Sequence, residues 1–239
     1  MQLHFTKMHG AGNDFVVIDL ISQDYTLSPQ DVRTLADRHL GVGCDQVLTV
    51  EPPHNPQVDF RYRIYNSDGN EVQQCGNGAR CFALFVRDKK LTRKRIISVE
   101  TAAGIIQLRV LQNQQVEVDM GAPAFEPKEI PFAAALRQQS YTLLIDNAEL
   151  EIGAVSMGNP HAVLRVRSAD HSEIERLGPI IESHCDFPQH VNVGFMEIMA
   201  KNKINLRVYE RGVGETMACG TGACAAVVYG ILRGWLSDS

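Results

Sequence analysis

Two of the six cysteines in this 239-residue chain open the same short pattern, CGNGA at residues 75–79 and CGTGA at residues 219–223. In both, a turn feeds an apolar segment, which places the cysteine at the start of a helix. There the first N–H groups have no acceptor within the helix and the helix dipole is positive, so thiolate is expected to be favoured over thiol. The glycines leave the backbone bare, and an anionic group such as a carboxylate can approach the same donors. A cysteine titrating near about 8.5 needs only modest lowering to move protons at neutral pH. Two such thiols on opposite sides of one carbon form an acid and a base: one thiolate removes the α-proton, the other thiol delivers a proton, and the stereocentre inverts. Two converging helix N-termini would steady the carbanion through the substrate carboxylate without a cofactor. No lysine stands in a recognisable pyridoxal phosphate context, so no cofactor is assigned.

The other cysteines have plainer readings. Cys81 and Cys224 fall inside apolar segments and read as core packing, whereas Cys44 and Cys185 belong to no constellation and receive no role. The Cys75–Cys81 and Cys219–Cys224 spacings of six and five do not match structural zinc motifs, and no metal is expected. A thiol-redox protein would carry a local CxxC pair, which is absent here; a Cys75–Cys219 disulfide would be an inactivating side reaction. A binding module with the same cleft is a third reading. His161, after Gly158-Asn159-Pro160, reads from composition alone as a satisfied loop histidine. Glu210 and Arg211 read as a surface pair, although their place at a strand end directs them toward a cleft.

The repeat extends well beyond the cysteines. At the same offset of 144 (219 − 75), Arg63-Ile64-Tyr65-Asn66 aligns with Arg207-Val208-Tyr209-Glu210, and Glu71 with Glu215. At an offset of 146, Gly12-Asn13 matches Gly158-Asn159, and Gln46 matches Asn192. This is an internal duplication. Alternation at Val58, Phe60, Tyr62 and Ile64, and at Ile204, Leu206 and Val208, predicts half-buried strands. Residues 78–87 and 222–233 are apolar on nearly every face, which predicts helices buried all round. Further strands are expected at residues 96–101, at 104–111, and through Val116, Val118 and Met120, and a helix from Ser28-Pro29 to Gly41.

The expected fold is therefore α+β, with two pseudo-symmetric domains: residues 1–121 carrying Cys75 and residues 122–239 carrying Cys219. Each is a barrel-like sheet wrapped around a central helix, and the two cysteine turns are expected face to face across a cleft. The first half continues for 46 residues from Cys75 to Gly121, whereas 20 follow Cys219. The second domain is accordingly expected to lack its C-terminal closing strands, leaving its helix partly uncovered.

Composition narrows the class. Hydrophobic residues at 44%, charged residues at 21% and a net charge of −5 describe a soluble globular protein with no footprint for nucleic acid or anionic lipid. The N-terminus has no basic stretch followed by an apolar one, and no apolar run reaches the length of a membrane span. A cytoplasmic location is expected, and the cysteine spacings suit free thiols in a reducing compartment.

Across essentially its whole length the chain resembles the diaminopimelate epimerases. The resemblance is carried by KMHGAGNDF at residues 7–15, DRHLGVGCDQ at 37–46, YRIYNSDGNEVQQCGNGARC at 62–81, SMGNPH at 156–161 and RVYERGVGETMACGTGAC at 207–224. It implies cofactor-independent interconversion of LL- and meso-diaminopimelate for lysine and peptidoglycan synthesis, with Cys75 and Cys219 as catalytic acid and base and His161 and Glu210 supporting them. By the same carry-over Asn13, Gln46, Asn66, Asn159, Asn192 and Arg211 hold the substrate. Gly76, Asn77, Gly220 and Thr221 offer backbone N–H groups to the carboxylate at the reacting centre, Thr221 adding its hydroxyl. The family implies a homodimer; its chains continue through a C-terminal strand segment that this one lacks, which bears on domain closure and on the dimer contact. Proline and hydroxyproline racemases are the nearest rivals, and the asparagine-rich set with the GNDF opening argues against them.

Overall fold

The structure is a computed structural model describing residues 2–72, 76–102, 104–169 and 171–238, with the backbone alone at His171. Cys75 therefore lies outside the described residues. The chain folds into two compact units, Met1–Met120 and Gly121–Ser239. No described helix is long and apolar enough to cross a membrane.

The first unit runs β1 (Thr6–Gly10), β2 (Asn13–Asp19), α1 (Pro29–Ala36), β3 (Gln46–Glu51), β4 (Phe60–Asn66), β5 (Glu71–Val72), α2 (Gly76–Asp88), β6 (Ile96–Thr101), β7 (Gly104–Val110) and β8 (Val116–Val118). Its described strands form one eight-stranded sheet in the order β1-β2-β3-β4-β6-β7-β8, with β5 added to β4. Helix α2 touches both ends of that order, β1 and β8. A flat sheet with strands about 4.8 Å apart could not bring both edges to one helix, so the sheet curls around it. The core follows from the strand alternation: Phe15, Val17, Leu48, Val50, Tyr62 and Ile64 point inward onto Ala79, Phe82, Ala83 and Val86 of the helix. A Cβ on Gly78 would lie 2.4 Å from the Tyr62 hydroxyl. The second glycine of the cysteine motif is thus required by helix packing, and anion approach is left to Gly76.

Helix α1 opens as expected, with a reciprocal Ser28–Asp31 capping box. It ends at Ala36, short of Gly41, because the Asp37 carboxylate takes the N–H groups of His39 and Leu40 and turns the chain. Gly41 is needed for close approach instead: a Cβ there would sit 1.9 Å from the Thr34 carbonyl oxygen.

The second unit begins with a 3-10 turn at Pro127–Glu129, then β9 (Tyr141–Ile145), β10 (Ala148–Ser156), β11 (Pro160–Val166), α3 (His171–Glu182), β12 (Asn192–Ala200), β13 (Lys203–Glu210), β14 (Gly214–Thr216) and α4 (Gly220–Leu232). Its sheet order is β14-β13-β12-β11-β10-β9. The duplication is visible strand by strand. Antiparallel β1-β2, parallel β2-β3 across α1, antiparallel β3-β4 and β4-β5, then α2, are matched by β10-β11, β11-β12 across α3, β12-β13, β13-β14 and α4. Register is kept as well. Phe15 pairs with Gln46 as His161 pairs with Asn192, and Ile64 with Val72 as Val208 with Thr216. Even the Arg63–Glu71 ion pair recurs as Arg207–Glu215.

The halves diverge past the helix. The first adds β6 to β8 alongside β4; among the described residues no strand comes after α4. Helix α4 turns Ala225, Ala226, Tyr229 and Gly230 onto β10 to β13, and Gly153 is so close that a Cβ would meet the Tyr229 ring at 2.2 Å. Ala223 and Val227, one turn apart, remain exposed, Val227 at 39%. Among the described residues α4 is thus covered by the sheet on one side and partly uncovered on the other, as expected for this half.

Candidate active site

Cys219 is the N-cap of α4. Its backbone is extended (φ −124°, ψ 113°), and its sulfur accepts the Gly222 N–H at 3.4 Å and lies 3.5 Å from the Thr221 hydroxyl. The sequence predicts a lowered thiol pKa here, and the structure overturns that. Burial comes first and the nearby Glu210 carboxylate second, and together they push the thiol from its ordinary 9.0 up to about 12 against the helix-terminal donors. Glu210 ends β13 and also hydrogen-bonds the sulfur. At neutral pH Cys219 is thus held as a thiol.

His161, the second residue of β11, is 1% exposed. Its Nε2 lies 3.0 Å from Asn159 Oδ1. An amide oxygen only accepts, so Nε2 carries the proton and Nδ1 presents a bare lone pair. That Nδ1 is buried with no hydrogen-bond partner among the described residues. Burial, followed by the positive charge of Arg211, depresses the imidazole to about 3, so the ring is neutral. Asn159 continues toward the cysteine through its Nδ2, 3.4 Å from the Thr221 hydroxyl. Five side chains from β11, β13, α4 and their approaches, namely His161, Asn159, Thr221, Cys219 and Glu210, thus form one continuous polar series.

Asn192, first in β12, is buried and braces this end of the sheet. Its Nδ2 donates to the Pro160 carbonyl and its Oδ1 accepts the Arg211 N–H, both at 3.0 Å. The Arg211 guanidinium donates to the Gln189 carbonyl at 3.1 Å. Gly220 and Thr221 open α4.

In the first unit Asn13, Gln46 and Asn66 occupy the neighbouring ends of β2, β3 and β4, and Gly76 and Asn77 the first turn of α2. Gln46 Nε2 donates to Asn66 Oδ1 at 2.9 Å, leaving Gln46 Oε1 buried without a partner among the described residues. Asn77 Nδ2 donates to Asn13 Oδ1 at 2.9 Å and Asn77 Oδ1 accepts from Arg80 at 2.8 Å. Asn13 Nδ2 in turn reaches Asp45 at 3.3 Å.

Behind these amides lies a charged brace that sequence reasoning missed. Arg38 bonds both Asp14 and Asp45, Lys7 bonds Asp14, and Asp45 accepts the Asp14 N–H while donating its own N–H to Asp14 Oδ1. Burial alone would raise the Asp14 carboxyl, but hydrogen bonds from Arg38 and Lys7 outweigh it and hold it well below the usual carboxylate range. The available signal was that all four charges fall inside the two N-terminal motifs.

Among the described cysteines, Cys44 and Cys81 are buried, Cys219 and Cys224 half-buried and Cys185 exposed. Among the described residues one group could offer three ligands to a metal, His184, Cys185 and Asp186 after α3. Its His184 Nδ1 already accepts the Asp186 N–H at 3.2 Å.

Comparison with known proteins adds a decisive match. The family model for diaminopimelate epimerase matches residues 5–126 and 153–238. The diaminopimelate epimerase of Teredinibacter turnerae is 60% identical over 239 residues, covering all of this chain and 87% of that protein. That of Thioalkalivibrio sulfidiphilus is 62% identical over 240 residues, covering all of this chain and 86% of that protein. The chain belongs to the diaminopimelate epimerase family. As a family member it is an isomerase of the epimerase type. The fold reaches further than the sequence. A hydroxyproline epimerase from Agrobacterium vitis, solved with trans-4-hydroxy-L-proline, superposes with a TM-score of 0.69 at 15% identity, over 98% of this chain and 78% of that one. A probable proline racemase from Agrobacterium radiobacter K84 gives 0.71 at 15%, over 99% and 79%. At that identity the shared property is the two-domain α+β architecture with its curled sheets.

Proposed function

We propose that this epimerase interconverts LL- and meso-diaminopimelate in lysine and peptidoglycan-precursor biosynthesis, in the cytoplasm and without a cofactor. Cys75 and Cys219 act as the acid and base. The observation that carries the second half of this reading is Cys219 at the first turn of α4, held protonated between Glu210 and Thr221. A protonated thiol is what the proton-delivering side of a two-base inversion requires. Cys75 then takes the α-proton as thiolate while Cys219 returns a proton to the opposite face, and the reverse reaction exchanges their roles. His161, neutral with an open Nδ1, and Glu210 support the reacting centre. Gly76, Asn77, Gly220 and Thr221 present helix-terminal N–H groups to the carboxylate where negative charge develops. Asn13, Gln46, Asn66, Asn159, Asn192 and Arg211 fix the remainder of the zwitterion, a polar ligand whose mispairing is costly.

The test is deuterium uptake at the α-carbon of diaminopimelate in D2O under reducing conditions, with no added cofactor. Uptake with inversion, and its near loss in both Cys75→Ala and Cys219→Ala, is expected. Substantial turnover in either variant would refute the two-thiol mechanism.

A further inference from the structure

We propose that Thr216 is a positioning residue of this site, whose hydroxyl holds the Glu210 carboxylate against Cys219. The inference rests on the epimerase reading for its consequence, but its geometry stands apart from it. Thr216 Oγ1 donates to Glu210 Oε1 at 2.5 Å. The bond is built into the hairpin: Thr216 pairs with Val208 across β14 and β13, and Glu210, two residues along, shares the Val208 face and is the diagonal neighbour.

The duplicated half supplies a control. There Val72 pairs with Ile64, and Asn66 takes the place of Glu210. Valine has no proton to donate, and Asn66 Oδ1 is oriented from another strand by Gln46 Nε2. The counterpart of Gln46 in the second unit is Asn192, whose amide is engaged with Pro160 and Arg211. Each half therefore gives its residue at the end of β4 or β13 a side-chain donor from a neighbouring strand, β3 in the first half and β14 in the second. A threonine stands where the carboxylate stands, and a valine of the same shape stands where it does not.

Glu210 is the charged group acting on the Cys219 sulfur, Thr221 and Gly222 being its neutral partners. Arg211, next in the chain, sends its guanidinium to Gln189, and His161 is neutral. Without the Thr216 hydroxyl the carboxylate is less firmly held against the sulfur, and the thiol loses part of what raises it, burial remaining.

The experiment compares Thr216→Val and Thr216→Ser with the parent chain by two readouts. The first is the peptide-resolved rate at which an aromatic disulfide reagent modifies Cys219 at pH 8, which needs no substrate. The second is kcat and KM for α-deuterium exchange. Thr216→Val is expected to speed Cys219 modification several-fold and to lower kcat by about tenfold with little change in KM, less than the roughly 10²–10⁴-fold that a positioned acid–base group itself contributes; Thr216→Ser is expected to restore both. Unchanged or slower modification in Thr216→Val overturns the proposal, as does a serine variant that behaves like the valine one. If the parent chain exchanges no deuterium, the epimerase reading fails while the modification rates still decide the role of Thr216.

Discussion

Acidification from pH 7.5 to 5 will weaken the second unit through one residue, His161. In the unfolded chain its imidazole titrates at the ordinary 6.5, and in the fold it is depressed to about 3. Between those values the unfolded state binds the extra proton and the native state does not, so stability rises with pH through this window. His161 thus costs nothing above 6.5, and stability is progressively lost as pH falls below it. At pH 5 the unfolded imidazole lies 1.5 units below its pKa while the folded ring is still neutral, a loss of about 2 kcal/mol at 1.36 kcal/mol per unit. The figure is insensitive to the folded value, because pH 5 stays well above it. The assay is urea unfolding followed by the fluorescence of Trp235, the single tryptophan, which sits just after α4. In His161→Gln the pH-dependent loss should shrink by about 2 kcal/mol, the carboxylates and other histidines cancelling in the difference. A wild-type and variant pair whose difference changes by less than about 0.5 kcal/mol between the two pH values would show that His161 is neither buried nor neutral as described.

Three further outcomes are expected. Cys219, held three units above its ordinary value, should react with a disulfide reagent at pH 8 about 30-fold more slowly than a model thiol, the thousandfold drop in thiolate being partly offset by higher nucleophilicity. Glu210→Gln should recover part of that rate, and equal rates in both forms would remove the carboxylate from the account. Asp14→Asn loses the charge on which Lys7 and Arg38 converge, so KM for deuterium exchange should rise more than kcat falls, and steady-state kinetics showing the reverse split would place the brace in the chemical step. Gly78→Ala drives a Cβ against the Tyr62 hydroxyl and should cost about 1–3 kcal/mol by overpacking. Gly194→Ala meets its nearest atom at 3.5 Å and should alter melting little, so similar losses in the two variants would contradict the packing argument.

The α+β class, the duplication and most elements were legible because they depend on periodicity and repetition, both local properties of the chain. Tyr62 and Val208 had to face inward wherever their strands lay. The end of α1 was misread because Gly41 resembles a helix stop, whereas the Asp37 carboxylate captures the backbone first. The apolar faces of α4 report a capacity to be buried, whereas the number of walls is decided by the sheet.

The thiol of Cys219 shows most clearly where local reasoning fails. Helix-terminal N–H groups are readable from Cys219 and its glycines, and they favour thiolate. The opposing effects arise from distance in the chain: Glu210 arrives from the preceding hairpin, and burial comes from the fold as a whole. Desolvation penalises the charged form across the entire site, whereas two weak donors at about 3.4–3.5 Å return only part of that cost. The duplication makes the comparison sharp, because the two motifs are nearly identical while position 66 is a neutral amide and position 210 a carboxylate. The substitution that separates them lies nine residues before each cysteine (75 − 66 and 219 − 210), outside the motif that draws attention to the cysteines.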